Sequence, residues 1–169
     1  DIDESPQEHE GPADTAIRLA REKAQHIAAS HKNSIVIGSD QVATLDDLQI
    51  GKPGTHERAL EQLRIMQGRE VIFHTALCVL DGRSNVDTPH IQEVNSQTRV
   101  RFRSLSEGEL DAYLRIEKPY DCAGSAKNEG LGIALIESIH SDDPTSLTGL
   151  PLIALTGMLR NRGVRFFGT

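Results

Sequence analysis

The sequence predicts an α/β fold, in which helices alternate with the strands of a mixed β-sheet. Three observations lead to this class: an amphipathic helix pattern near the N-terminus, a short β-branched run after it, and later strands joined as hairpins. A chain of 169 residues, 37% of them hydrophobic, is long enough for one domain with its own core. The sequence contains no internal repeat, so residues 1–169 are predicted to form a single domain.

The first predicted helix covers residues 13–30, where small and apolar residues recur at the i, i+3, i+4 and i+7 spacing of a helical stripe. At about 100° per residue, Lys23 falls at the edge of this stripe, so its ammonium group can reach over the edge of the core. Residues 34–38 form a short apolar run, typical of a strand covered on both faces. A carboxylate follows at once, in Ser39-Asp40, and it needs an explanation in terms of turn structure or of function.

A hairpin and a capped helix come next. Residues 42–45 and 48–50 flank an Asp-Asp pair, and this pattern predicts two short strands joined by a tight turn. Thr55 is placed to cap the N-terminus of a helix that ends at Gly68.

Two long strands are predicted in the middle of the chain. They are predicted over residues 71–80 and 91–102, and the polar loop of residues 81–89 joins them. Ser106 and Glu109 form a capping box that begins the next helix. The last predicted elements are an apolar strand and a closing helix, over residues 131–139 and 149–160.

The composition argues against several classes of function. A formal net charge of −7 argues against binding to polymeric nucleic acid, because that affinity comes from Lys and Arg neutralising phosphates. No apolar run approaches the roughly 20 residues of a membrane span, and no signal peptide is visible. The two cysteines, Cys78 and Cys122, lack the spacing of a zinc site. We expect buried free thiols, as in a reducing cytoplasm.

Two polar positions, Asp40 and Lys52, have both a structural and a functional interpretation. Asp40 either makes a turn, or it holds a divalent cation or takes a proton from water. Lys52, in the segment GKPGT, is either a solvated turn lysine or a phosphate-binding charge near a helix N-terminus. Lys23 alone is typical of a helix-surface lysine. The glycine-rich residues 122–132 suit close approach to a flat or charged ligand.

Seven motifs occur in the order REKA, IGSDQV, GKPGT, FHTAL, FRSLSEGELDAYL, YDCAGSAKNEGLG and TGLPLIAL. Their order and spacing resemble the Maf family of nucleotide pyrophosphatases over nearly the whole chain. SDQ together with AGSAKNEG resembles more specifically the bacterial subfamily that hydrolyses 7-methyl-GTP. The resemblance implies an inosine-triphosphatase-like fold, with a mixed, twisted sheet, flanking helices and a nucleotide cleft between two lobes.

The resemblance also implies the chemistry of the site. Asp40 would be the catalytic acid/base, and Lys23 and Lys52 would bind phosphates. Glu4 and Asp40 would assist a divalent cation, Mg²⁺ or Mn²⁺. The implied reaction cleaves the α–β phosphate bond of a nucleoside triphosphate and releases a monophosphate and pyrophosphate. The family further implies a homodimer.

Gln41 and Glu129 are the residues that the resemblance assigns to base specificity. An ionised carboxylate only accepts hydrogen bonds, and guanine offers two adjacent donors, N1–H and N2–H. Glu129 is therefore able to accept both, which favours a guanine-type base over uracil or thymine.

One departure from the family pattern produces a second hypothesis. Family members open with a strand and a loop of the form S-x-S-x-x-R, and this sequence begins near the acidic segment that follows that loop. We therefore expect an N-terminally incomplete Maf-like domain. The alternative to the enzyme is a catalytically impaired nucleotide-binding or dimerising module.

Overall fold

The computed structural model of this chain describes residues 2–83 and 89–168. Residues 84–88 of the predicted polar loop lie outside this described part. The α/β class predicted from the sequence is confirmed. The helices and strands, in chain order, are α1 (Pro12–Ser30), β1 (Ile35–Leu45), β2 (Leu48–Ile50), α2 (His56–Met66), β3 (Glu70–Asp81), β4 (His90–Phe102), α3 (Glu107–Glu117), β5 (Ile136–Ser141) and α4 (Leu152–Asn161).

The five strands form one sheet in the order β2-β1-β3-β4-β5. The predicted hairpin is present, with Leu45 opposite Leu48 in an antiparallel pair, and β4 and β5 are also antiparallel. The described sheet is antiparallel, whereas a mixed sheet was expected from the alternation of helices and strands. The reason is that β2 reverses the chain after β1, so that α2 leads into a strand running opposite to β1.

The chain divides into two compact units. Unit 1 contains Asp1–Asp40, Thr75–Ser96 and Asp143–Thr169, and unit 2 contains Gln41–His74 and Gln97–Asp142. Strands β1, β3 and β4 contribute residues to both units. The single domain expected from the sequence stays a prediction.

In unit 1, α1 packs closely against β1. Ala16, Ala20 and Ala24 are fully buried on the side of the helix that the sequence pattern predicted. A Cβ atom added at Gly38 of β1 would lie 2.1 Å from the carbonyl oxygen of Ala20 and 2.9 Å from the amide nitrogen of Ala24. The two backbones therefore touch at a position where only glycine fits. A further apolar cluster holds α4 to β3, through Leu77, Val79 and Leu155.

In unit 2, the helices α2 and α3 contribute to the core together with residues of the strands. Both predicted caps are present: the Thr55 side chain accepts a hydrogen bond from the amide of Arg58, and Ser106 and Glu109 form the complete capping box. The fully buried side chains of this unit include Leu63, Met66, Val71 and Leu114.

None of the helices among the described residues is both long enough and apolar enough to cross a membrane.

Two predicted strands differ in the structure. Strand β1 continues to Leu45, so Asp40 lies within a strand rather than after one, and Ile37 is 44% exposed, so the strand is not covered on both faces there. Residues 131–135 form a 3₁₀ turn, and β5 begins only at Ile136. The cause is the backbone of Gly132, whose amide donates to the carbonyl of Lys127 at 3.0 Å and holds this segment in a turn.

Candidate active site

Three of the predicted site residues meet in unit 1. The Lys23 ammonium nitrogen lies 2.6 Å from Asp40 Oδ1 and 2.9 Å from Glu4 Oε1. The Asp40 side chain is 11% exposed, against 33% for Lys23 and 52% for Glu4. A partly buried carboxylate therefore faces a half-buried cation that a second, exposed carboxylate also contacts. This cluster is well suited to phosphate and metal chemistry.

The α1–β1 contact sets the distance between Lys23 and Asp40. Lys23 comes three residues after Ala20 on α1, and Asp40 comes two residues after Gly38 on β1, so both side chains leave the backbone next to the closest approach. Ser39 fixes the strand from its other side. Its hydroxyl lies 2.9 Å from the carbonyl oxygen of Ala76 and 2.7 Å from that of Gly149.

Arg18 holds the segment that carries Glu4. Its guanidinium donates to the Glu10 carboxylate at 2.8 Å and to the carbonyl oxygen of Ser5 at 2.9 Å. The hydrogen bond from Arg18, together with one from the amide of Gln7, lowers the pKa of Glu10 to about 2. Glu10 thus stays ionised near neutral pH, and its pair with Arg18 anchors the residues next to Glu4.

The charge of Lys23 is also fixed. Burial alone would lower its pKa, but the hydrogen bonds to Asp40 and Glu4 outweigh this and raise the pKa above the usual lysine value. Lys23 is therefore fully protonated at physiological pH.

Glu4 and Asp40 are also candidate ligands for a divalent cation. Within the described residues, no group of three or more His, Cys, Asp and Glu side chains is arranged to hold a metal ion. Glu4 and Asp40 nevertheless both approach one cationic nitrogen. Two carboxylates are enough for Mg²⁺ in sites where substrate phosphates and water provide the remaining oxygens. The donor set fits such a cation.

Lys52 lies in unit 2, in a loop held on both sides. Lys52 itself is exposed, whereas Pro53 is buried. The Gly54 amide donates to the carbonyl oxygen of Tyr120 at 2.9 Å, and the carbonyl oxygen of Gly51 accepts from Gln62 Nε2 at 2.9 Å. The backbone around Lys52 is thus fixed while its ammonium group is left in solvent.

Glu129 and Gln41 are the other predicted residues of unit 2. Glu129 is exposed, on a glycine-rich segment in which Gly124 and Ser125 have positive φ values of 73° and 54°. Gln41 is half-buried on β1. The Tyr113 hydroxyl donates to the carbonyl oxygen of Ser125 at 3.1 Å and accepts from the amide of Lys127 at 3.1 Å. The backbone that leads to Glu129 is therefore fixed from within the core.

Comparison with known proteins gives the family. A protein-family model described as "Maf-like protein" matches residues 1–162.

The chain belongs to the Maf family.

Relatives within the family are close. A protein of Cupriavidus metallidurans named "7-methyl-GTP pyrophosphatase" is 64% identical over 168 residues, which cover 99% of this chain and 82% of the relative. Proteins with the same name from Ralstonia nicotianae and Burkholderia lata are each 62% identical, over 95% and 100% of this chain and 80% of each relative. The resemblance to the Maf family is thereby confirmed.

In this Maf-family chain, the structure brings together Glu4, Lys23 and Asp40 and places Lys52 and Glu129 on two supported loops of unit 2. The roles of these residues stay predictions. Sequence reasoning missed the residues that support them, above all Arg18 and Gln62. Arg18 carried one usable signal, because acidic residues precede it and Glu22 follows one turn later. Gln62 carried no signal that distinguishes it from any polar residue on a helix.

Proposed function

We propose that this chain hydrolyses the α–β phosphate bond of 7-methyl-GTP and releases 7-methyl-GMP and pyrophosphate. The proposal is supported by its relatives, which carry the name "7-methyl-GTP pyrophosphatase" at 59–64% identity across at least 95% of this chain. The observation that carries it in the structure is the contact of Lys23 with Asp40, because it combines a carboxylate for proton transfer with a cation for phosphate.

Asp40 is the group that takes a proton from the attacking water. Its contact with the Lys23 ammonium favours the ionised carboxylate, which is the form needed to accept a proton. The water oxygen attacks the α-phosphorus, and the bond from that phosphorus to the bridging oxygen breaks. Pyrophosphate leaves with the electron pair of this bond.

Lys23 and Lys52 bind the phosphates. Negative charge builds up on the departing pyrophosphate, so a fixed ammonium group stabilises the transition state more than the ground state. Lys52 suits this role because its loop backbone is held at Gly51 and Gly54 while the side chain stays accessible.

A divalent cation, Mg²⁺ or Mn²⁺, would be held by Glu4 and Asp40 together with phosphate oxygens. When bound, it would neutralise part of the triphosphate charge and polarise the α-phosphate. Lys23 would bind the same phosphates, because its long side chain keeps the ammonium group partly exposed beside the two carboxylates.

Glu129 and Gln41 select the base. An exposed carboxylate on a fixed backbone accepts from N1–H and N2–H of guanine, and its charge attracts the cationic ring of 7-methylguanine. The side-chain amide of Gln41 provides an NH₂ group as donor and a carbonyl oxygen as acceptor for the polar atoms of the base that Glu129 does not contact.

The test is pyrophosphate release from 7-methyl-GTP, with GTP, UTP and dTTP as competing substrates and with Mg²⁺ or Mn²⁺ supplied. We expect 7-methyl-GTP to have the highest kcat/KM and chelation of the cation to stop turnover. Tight binding of 7-methyl-GTP with no release of pyrophosphate would contradict the proposal and support a nucleotide-binding module.

We further propose that the protein works as a homodimer in the cytoplasm. Both parts of this proposal come from the resemblance and from the sequence. Both cysteines are free thiols, Cys78 buried as expected and Cys122 only half-buried, and burial raises the pKa of each to about 11, so both stay protonated near neutral pH. Light scattering at micromolar protein tests the dimer, and a monomer mass would contradict it.

A further inference from the structure

Gln62 joins two loops of unit 2 that the proposed function uses for different purposes. Its Nε2 donates to the carbonyl oxygen of Gly51 at 2.9 Å, and its Oε1 accepts from the Ser125 hydroxyl at 2.6 Å. Gly51 precedes Lys52, the proposed phosphate ligand, and Ser125 belongs to the segment of Glu129, the proposed base reader. One half-buried side chain on α2 thus contacts both segments.

The chemistry of these contacts requires an amide. A carbonyl oxygen such as that of Gly51 only accepts, so it must face the NH₂ group of Gln62. The Ser125 hydroxyl then donates to the remaining amide oxygen. A glutamate at position 62 would keep the contact with Ser125 and lose the donor to Gly51. A methionine of similar length would lose both.

Ser125 is a firm anchor for this contact. It is fully buried, has a φ of 54° and sits beside Gly124, where φ is also positive. An added Cβ at Gly124 would lie 3.4 Å from the Phe73 ring, so this turn packs on the core. A non-glycine residue with positive φ persists where the surrounding structure fixes it.

The connection continues from Ser125 toward Glu129. Burial raises the pKa of Tyr113 to about 12, so its phenol keeps its proton and donates to the carbonyl of Ser125. The phenol oxygen of Tyr113 accepts from the Lys127 amide, and the carbonyl of Lys127 accepts from the amide of Gly130, the residue next to Glu129. Hydrogen bonds, together with the covalent bonds within Ser125 and Lys127, therefore connect Gly51 through Gln62 to this turn.

We propose that Gln62 is a positioning residue that fixes the Lys52 loop relative to the Glu129 segment, so that recognition of the base aligns the phosphates. This inference rests on the proposed function and extends it, because it makes base selectivity depend on a residue that touches neither base nor phosphate. Misplacement of a binding group by about 1 Å can cost up to about 10²-fold in rate. Loss of one bridging amide is expected to cost about 10-fold in kcat/KM.

The experiment compares Gln62→Met, Gln62→Glu and Ser125→Ala with the wild-type chain. Glu61→Gln is the matched control, since Glu61 is the exposed neighbour on the same helix. The measured quantities are kcat and KM for 7-methyl-GTP and UTP, and the temperature of unfolding. Each variant is also combined with Glu129→Gln, and Gln62→Met is combined with Ser125→Ala.

We expect all three variants to lower kcat/KM for 7-methyl-GTP by about 10-fold and to reduce its preference over UTP. Gln62→Met and Ser125→Ala together should cost no more than either alone, because they break one connection. In the Gln62→Met background, Glu129→Gln should change the substrate ratio less than it does in the wild type. A residue that only stabilises the fold would lower the unfolding temperature and leave this ratio unchanged.

Equal rates and an equal substrate ratio in Gln62→Met and Glu61→Gln would overturn the inference while wild-type turnover of 7-methyl-GTP stands. An undiminished effect of Glu129→Gln in the Gln62→Met background would also overturn it. If the wild type instead hydrolyses a different triphosphate, the proposed function fails. The same comparison of variants on that nucleotide then decides the role of Gln62.

Discussion

The charged cluster of unit 1 and the two loops of unit 2 are built in opposite ways. Lys23 contacts both Glu4 and Asp40 directly, and these two carboxylates raise the pKa of its ammonium group. Lys52 and Glu129 extend into solvent, and neutral groups such as Gln62 hold their backbones. The first arrangement tunes reactivity through electrostatics, whereas the second fixes the position of groups whose charge needs no tuning.

This difference predicts how substitutions in each region should affect activity and stability. In the cluster, replacing one charged side chain changes the electrostatic surroundings of the other two. In the loops, replacing a charged side chain should remove one proposed contact with the nucleotide and leave the supporting hydrogen bonds in place. Activity and stability should therefore change together in unit 1 and separately in unit 2.

The largest effect is expected at Asp40. Asp40→Asn keeps the size of the side chain and removes the carboxylate, so kcat for 7-methyl-GTP should fall by about 10³-fold. Circular dichroism should show an unchanged fold. A variant that keeps more than about a tenth of the wild-type rate would show that Asp40 is neither a general base nor an essential cation ligand.

Replacing the two lysines compares the regions directly. Lys23→Met and Lys52→Met should each lower kcat by about 10²-fold, because each removes a cation from the phosphates. Only Lys23→Met should also lower the unfolding temperature, by roughly 2–4 °C, since it leaves the partly buried Asp40 without this cation. Equal unfolding temperatures for the two variants, measured by calorimetry, would remove the proposed difference between the regions.

Glu129→Gln should change selectivity more than rate. Glutamine replaces one acceptor by a donor, so a donor would face a donor on guanine, whereas a carbonyl of uracil could accept from it. We expect kcat/KM for 7-methyl-GTP to fall by about 10-fold, with a relative gain for UTP or dTTP. Glu137→Gln makes the same change at another exposed residue and serves as control. Parallel loss on all nucleotides would instead assign Glu129 to catalysis or cation binding.

The smallest effect is expected at Glu10, which supports the segment of Glu4. It concerns how the free energy of unfolding depends on pH. The pKa of Glu10 is about 2 in the folded chain, and it is near 4.3 for an unperturbed glutamate. Its contribution is therefore present above about pH 4.3 and is lost as the pH falls toward 2. Glu10→Gln should cost stability at pH 6 and much less at pH 2.5, as measured by urea unfolding.

Glu8→Gln is the control for this measurement, because the Glu8 side chain is 90% exposed. This substitution should leave the free energy of unfolding unchanged at both pH values. An equal cost of Glu10→Gln at pH 6 and pH 2.5 would show that the ion pair with Arg18 does not stabilise the segment.

Local signals predicted the helices well. The spacing of alanines gave α1, and the side chains of Thr55 and Ser106 gave the starts of α2 and α3, because a cap is a contact between residues three apart. The start of β5 could not be predicted in this way. It depends on a hydrogen bond between the backbones of Gly132 and Lys127, and such a contact produces no periodic pattern in the sequence.

The residues of the candidate site also differ in whether the sequence could predict them. Asp40 and Lys52 were candidates because one follows an apolar run and the other lies in a glycine-rich loop, whereas Lys23 became a candidate only through the resemblance to the family. The supporting residues were not identified as candidates, because an amide such as that of Gln62 or a hydroxyl such as that of Ser125 is common on any protein. Their importance comes from what they contact after folding, and the sequence does not encode that in a local pattern.

The contact at Gly38 has a consequence for natural variation and for enzyme engineering. An exchange of this glycine for alanine adds one methyl group, yet it would force α1 away from β1 because that methyl group would overlap the carbonyl oxygen of Ala20. Lys23 and Asp40 would move apart with no change in either residue. Gly38 therefore belongs among the positions to be kept fixed in mutant libraries, and an inactive variant with all its acidic and basic residues intact should be sequenced there first.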